Sequence, residues 1–340
     1  MNKISTIILL ACSIVIASCG NNESKQKNTL ESDTFKIEGI LSELNDKIEK
    51  NRDNDALYIE RAGYYLSVNK IDSALRDILI AIDIDNKNSN HYITLSDAYL
   101  ALGNPDRSHE ALEKAIQVDS RNKEAFLKKA QLYLIMRNYS KTYSTIEDLL
   151  KIDRINPTAH FVRAIAHLEQ ADTLKAIADL RRSIEQDQEY FDAHFQLGVL
   201  YAQQKNPLAV NFLQNAITIN QNLLEPYYQL GLFFQENGSI ESAVKTYNGI
   251  LDIDQDYYPA LYNLGYIALV YQKNFRRAAE YFTQVVQIAP DYAEAWYNRG
   301  FSFELLEQNE LARTDYEQTL KIRSNYPKAI DALNRLDNSN

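Results

Sequence analysis

Apolar and small positions recur along this chain with a fixed long period. Leu197-Gly198, Leu230-Gly231, Leu264-Gly265 and Arg299-Gly300 follow one another at spacings of 33, 34 and 35 residues. Each is followed by a small residue (Ala209, Ala243, Ala278, Ala312) and, four positions on, by a bulky one (Leu213, Tyr247, Phe282, Tyr316). The same phase runs back to about residue 55, through Tyr58, Ala62, Tyr65, Ala74 and Ala81, then Tyr92, Ser96, Tyr99 and Ala115. Phe126, Ala130, Tyr133 and Tyr139 continue it, and His160, Ala164, His167 and Ala176 carry a more degenerate copy. A period of this length marks a stacked array of small supersecondary units. Each unit cannot bury its apolar face alone, so neighbours must cover it and the two ends need caps. Residues 33–54 read as an amphipathic capping helix before the array. Ala329, Ile330, Leu333 and Leu336 lie at helical spacing and predict a second cap over 327–340.

One other apolar stretch stands apart from the period. Met1-Asn2-Lys3 is followed by a mostly apolar run from Ile4 to Ala17, too short for a membrane span of about 20 residues and shaped like a secretory signal. The run ends Ile16-Ala17-Ser18-Cys19, which resembles the lipobox of bacterial lipoproteins. That resemblance implies a signal peptide over 1–18, a lipidated Cys19 as the first mature residue, and a polar tether over 19–32. Two or more acyl chains would hold such a protein stably, at about 0.8 kcal/mol per buried methylene. Gly20 stands where an inner-membrane retention Asp would be. The expected location is therefore the outer membrane, facing the periplasm.

Composition narrows the picture further. Ten Gly and seven Pro in 340 residues, with 45% hydrophobic residues, fit an ordered all-helical body. The net charge of −10, without basic runs, argues against nucleic acid and against an anionic membrane surface. The two cysteines, Cys12 and Cys19, fall at the N-terminus, so a mature body would have neither a disulfide nor a thiolate nucleophile.

The repeat resembles the tetratricopeptide family, whose pattern has a bulky residue at position 4, Leu-Gly at 7–8, Tyr at 11, Ala at 20, an aromatic at 24, Ala at 27 and Pro at 32. Trp296, Gly300, Phe303, Ala312 and Tyr316 match it best, and Leu264, Gly265, Ala278, Phe282 and Pro290 match next. The resemblance implies an all-α, right-handed superhelical solenoid of about eight helix-turn-helix repeats over 55–88, 89–122, 123–156, 157–190, 191–223, 224–257, 258–292 and 293–326, with capping helices. Position 8 is expected to be small because position 20 of the second helix packs there, while positions 4, 11 and 24 fill the remaining space.

In such arrays, first-helix positions 2, 5, 6, 9, 12 and 13 line a concave groove. Position 6 carries Gln196, Gln229, Asn263 and Asn298, a ladder of amides able to donate to and accept from a peptide backbone. Position 5 carries Phe161, Phe195, Tyr228, Tyr262 and Tyr297, and position 9 adds Tyr266 and Phe301. These aromatics are either a recognition wall or wedges between helices. Position 12 of repeats one to four is Leu66, Leu100, Leu134 and Leu168, a stripe that either seats a partner helix or packs the inner wall. Nine groove acids (Glu60, Asp97, Glu124, Glu169, Asp192, Glu225, Glu236, Glu294, Glu304) stand against one base, Lys128, implying a neutral or basic partner segment. His160, His167 and His194 could in principle meet around zinc, but they occupy core positions and read as replacements for aromatics. No phosphate loop, HExxH or GxSxG motif occurs. The expectation is a non-catalytic scaffold without cofactor or metal that binds an envelope protein, with a homodimer possible. The alternatives are a component of a secretion, motility or outer-membrane assembly apparatus and, in a different class, a glycan-binding protein or an enzyme.

Overall fold

A computed structural model describes residues 39–338. The signal, Cys19, the tether and the start of the first cap lie outside the described residues. The chain divides into two compact units at Gln255/Asp256, and the described part of each is helical.

The first unit opens with α1 (39–50), whose Leu44 and Ile48 are buried, Ile48 against Tyr58 and Ala81. Six helix pairs follow. They are α2 (Asp55–Ser67) with α3 (Ile71–Ile84), α4 (Ser89–Ala101) with α5 (Pro105–Val118), α6 (Lys123–Ile135) with α7 (Tyr139–Ile152), α8 (Pro157–Glu169) with α9 (Thr173–Gln186), α10 (Phe191–Gln203) with α11 (Leu208–Ile219), and α12 (Leu224–Glu236) with α13 (Ile240–Ile253). The second unit contains α14 (Tyr258–Val270) with α15 (Phe275–Ile288), α16 (Ala293–Leu305) with α17 (Asn309–Ile322), and the terminal α18 (Pro327–Asn338). Within a unit each helix packs on the one before it, and first helices of neighbouring repeats also touch, as α4 does α6 and α10 does α12. Within each unit the first helices thus form one layer and the second helices another. No helix among the described residues is long and apolar enough to cross a membrane.

The turn inside each repeat has a common chemistry. One residue per turn sits in the left-handed region: Asn69, Gly103, Arg137, Ala171, Lys205 and Gly238 in the first unit, Lys273 and Glu307 in the second. In every repeat but the seventh, the next residue's N–H bonds back five residues, as Lys70 N to Tyr65 O at 2.8 Å and Asn138 N to Tyr133 O at 2.8 Å. This is the Schellman closure of a helix C-terminus. The residue after the left-handed one then caps the second helix: Asn104, Asn138, Asp172 and Asn274 accept from the N–H three residues on. In the seventh repeat, with its extra residue, the closure is replaced by Asn274 N to Ala268 O at 2.8 Å.

Helix packing corrects one expectation. A methyl group built on the position-8 glycines would meet position 24 first. It would stand 2.6 Å from Leu213 Cγ at Gly198, 2.5 Å from Tyr247 Cε1 at Gly231 and 2.9 Å from Phe282 Cε1 at Gly265. Position 20 is among the three nearest neighbours at Gly300 alone, through the Ala312 carbonyl at 3.1 Å, and there Asp315 Cβ and Tyr316 Cε1 are as near, at 3.0 Å. The physical reason is volume. Repeats one to four carry Ala62, Ser96, Ala130 and Ala164 at position 8 and the aliphatics Ile78, Leu112, Ile146 and Leu180 at position 24. Repeats six to eight pair Gly with Tyr247, Phe282 or Tyr316, all fully buried. A larger ring is accommodated by a missing Cβ, as close-packed interiors require.

Candidate partner-binding face

The layer of first helices holds the residues singled out in the sequence. Gln196 and Gln229, on α10 and α12, are half-buried and have no side-chain hydrogen bond among the described residues. The other two amides are differently placed. Asn263 is only 8% exposed, and Asn298 Nδ2 donates to Tyr262 Oη at 2.9 Å. The four amides are therefore not equivalent, and those turned to internal contacts lie in the second unit.

The aromatic positions serve largely as wedges. Tyr262 packs edge-on against Phe282 at 5.6 Å and against Tyr292 at 5.0 Å, and its burial pushes its hydroxyl pKa up strongly. Tyr297 lies against Phe301, Tyr316 and Tyr326 at 5.3–6.3 Å. Tyr266 meets Tyr271, Tyr228 meets Tyr247, and Phe195 stacks on Phe191 at 6.0 Å. All seven position-5 and position-9 rings keep some exposed surface, so they fill the seam between helices and show an edge to the groove.

Charge distinguishes the two units. In the second unit both groove acids have partners: Glu294 accepts from Arg323 at 2.7 Å, and Glu304 takes Arg335 at 3.1 Å and the Tyr316 hydroxyl. In the first unit the one groove base, Lys128, is held by both oxygens of Asp97 at 2.8 Å. That leaves Glu60, Glu124, Glu169, Asp192, Glu225 and Glu236 outside the ion pairs of the described residues. Asp192 is half-buried, and this desolvation raises its pKa above the ordinary carboxylate value.

The histidines do not assemble a metal site. His160 and His167 both approach the buried Asp179, at 3.8 and 3.6 Å, while His194 bonds to the Gln188 carbonyl at 3.0 Å. No group of three potential ligands is placed for a metal among the described residues. Burial works to raise the Asp179 pKa, but hydrogen bonds from His160 and Arg163 outweigh it and hold the carboxyl well below the usual range.

Asp179 belongs to a pattern that reading the sequence missed. Arg61–Asp77, Arg163–Asp179 and Arg299–Asp315 are bidentate pairs at 2.7–2.8 Å, each linking position 7 to position 23 of one repeat. The available signal was an Arg at position 7 with an Asp sixteen residues later, in repeats one, four and eight only. These pairs join the two helices of a repeat.

Tetratricopeptide-repeat family models match residues 93–141, 161–209 and 267–329, and a further one matches 224–257. Together they cover more than half of the chain. With its stacked helix pairs joined by short intra-repeat turns, the chain belongs to the tetratricopeptide repeat family, a family of protein-interaction scaffolds. Among solved structures, the C-terminal part of a repeat protein from Cytophaga hutchinsonii is similar with a TM-score of 0.61 at 15% identity, over 70% of this chain and 98% of its own. The human IFIT1 dimer with m7Gppp-AAAA gives 0.53 at 14% identity, over 84% and 68%. A repeat protein from Parabacteroides merdae gives 0.48 at 16% identity, over 74% and 99%. At these identities the likeness is one of fold. No curated protein matches the chain.

Proposed function

We propose that this chain is a non-catalytic interaction scaffold of the cell envelope, tethered through lipid on Cys19 to the outer membrane and facing the periplasm. Its first-helix face receives a neutral or basic segment of another envelope protein. Family membership supports the scaffold. The observation that carries the choice of partner is the set of six groove carboxylates without an ion-pair partner in the first unit, beside a single base already taken by Asp97. Unpaired acids on one face attract and orient cationic surfaces. Gln196 and Gln229, on the same face, add paired donors and acceptors for a backbone. The envelope part rests on the lipobox resemblance at Ile16–Cys19.

The test is an affinity pull-down from solubilised envelopes with the wild type and a Gln196→Ala/Gln229→Ala variant. These two amides are chosen because alanine at buried Asn263, or at Asn298 on Tyr262, would disturb packing as well as binding. Envelope proteins captured by the wild type and lost in a folded variant support the reading. Capture that is indifferent to the variant removes the amides from the site. Cys19→Ala is expected to move the protein from the membrane to the soluble fraction; retention on the membrane would refute the anchor.

A further inference from the structure

Three first helices carry the same arrangement at positions 2, 5 and 6: a carboxylate, an aromatic ring and an amide. They are Asp192, Phe195 and Gln196 on α10, Glu225, Tyr228 and Gln229 on α12, and Glu294, Tyr297 and Asn298 on α16. The spacing places all three side chains on one face of a helix within about one turn.

In α16 the arrangement is already occupied. Arg323, the residue that caps the C-terminus of α17, places its guanidinium on Glu294 at 2.7 Å, and Asn298 is bonded to Tyr262. The residues that cap α11 and α13 in the same way are Asn220 and Asp254. Neither carries a positive charge. The chain thus supplies an arginine to one of the three carboxylates and none to the other two. Asp192 is half-buried without any ion pair, and a desolvated carboxylate lacking a cation is costly.

Helices α10 and α12 touch, and axes of packed helices stand about 10 Å apart. An extended chain of the polyproline-II form covers that distance in three residues at about 3.1 Å each and, with three residues per turn, brings side chains i and i+3 back to one face; a helix would need seven at 1.5 Å each. The amides favour the extended form, because a helix has already paired its own backbone groups and leaves nothing for Gln196 and Gln229 to bind.

We propose that α10 and α12 form a double arginine seat, which reads two arginines three residues apart (Arg-x-x-Arg) on an extended segment of the partner. Each guanidinium takes on Asp192 or Glu225 the place that Arg323 fills on Glu294. The inference rests on the scaffold reading above and specifies its ligand.

The probes are fluorescein-labelled nine-residue peptides of Ser and Ala bearing two arginines separated by two, three or seven positions, or two glutamates separated by three. Binding to the full chain is followed by fluorescence anisotropy. The Arg-x-x-Arg peptide is expected to bind most tightly. Asp192→Asn/Glu225→Gln, which keeps side-chain shape, is expected to weaken it about five- to thirtyfold, the worth of two part-exposed ion pairs. Asn220→Arg, which supplies α10 with its own arginine, is expected to weaken it as well. Circular dichroism confirms that each variant is folded. Equal affinity for all spacings, preference for seven, indifference to the carboxylate variant, or no binding of any peptide would each overturn the proposal. Loss of the envelope partner in the Gln196→Ala/Gln229→Ala variant, together with its retention in Asp192→Asn/Glu225→Gln, would leave the scaffold standing and refute only the arginine seat.

Discussion

Replacing Gly231 by alanine tests the volume exchange between positions 8 and 24. The new Cβ would stand 2.5 Å from Tyr247 Cε1 and 2.9 Å from Cδ1 and Cζ, whereas carbons rest at about 3.5–4.0 Å. Tyr247 is fully buried, and its hydroxyl donates to Gln235 Oε1 at 3.1 Å, so the ring cannot swing into solvent. Overpacking of this kind costs about 1–3 kcal/mol. The helix gains roughly 1 kcal/mol when alanine replaces an interior glycine. The expected net change is about 0–2 kcal/mol of destabilisation. Gly63 in α2 is the control: nothing lies within 4 Å of a Cβ there, so Gly63→Ala is expected to stabilise by about 0.5–1 kcal/mol. Adding Tyr247→Leu to Gly231→Ala recreates the Ala164/Leu180 combination of repeat four and should recover part of the loss, giving a coupling of about 1 kcal/mol in the double-mutant cycle. Urea unfolding gives the free energies. Amide exchange in α12 and α13 gives the local readout, since a repeat array responds largely by neighbouring units. If Gly231→Ala stabilised as Gly63→Ala does, or if the cycle showed no coupling, the close approach would not be what selects glycine here.

Ala171→Gly and Lys205→Gly should each stabilise by about 0.5 kcal/mol in urea titrations. Both residues are held at φ near +55°, at a strain of roughly 1–2 kcal/mol that glycine lacks but partly offsets in the unfolded chain; loss of stability would refute strain at the turn. Asp179→Asn should cost about 3–5 kcal/mol because it leaves Arg163 half-buried without its counter-charge, and an effect below 1 kcal/mol would show that the pair is dispensable. Burial lowers the His167 pKa below its ordinary value. The unfolded chain then binds the extra proton first as pH falls through about 6.5, so the His167 contribution is present above that pH and is lost below it. His167→Phe should flatten the stability profile between pH 7 and 5; an unchanged slope would place the titration elsewhere.

Much of the fold was legible in the sequence because the repeat is a local device. The 34-residue period fixes which side chains share a helix face. In four repeats an Asn or Asp one residue past the left-handed position marks where the second helix starts, and in three the glycine at position 8 faces a ring at position 24. Each of these depends on residues inside one repeat. Tertiary structure decided the matters that depend on distance between helices. It set Asn298 on Tyr262 and left Gln196 and Gln229 unbonded. It neutralised Lys128 with Asp97, and it gave Glu294 an arginine from the end of α17 while Asp192 and Glu225 received none. It turned the aromatic positions into wedges and gathered His160 and His167 around Asp179. It also divided the chain at Gln255/Asp256, where the period continues without a break. A periodic pattern specifies which positions meet their neighbours. Whether a given amide or carboxylate is satisfied there depends on which side chain comes within about 3 Å of it, and only the packed helices determine that.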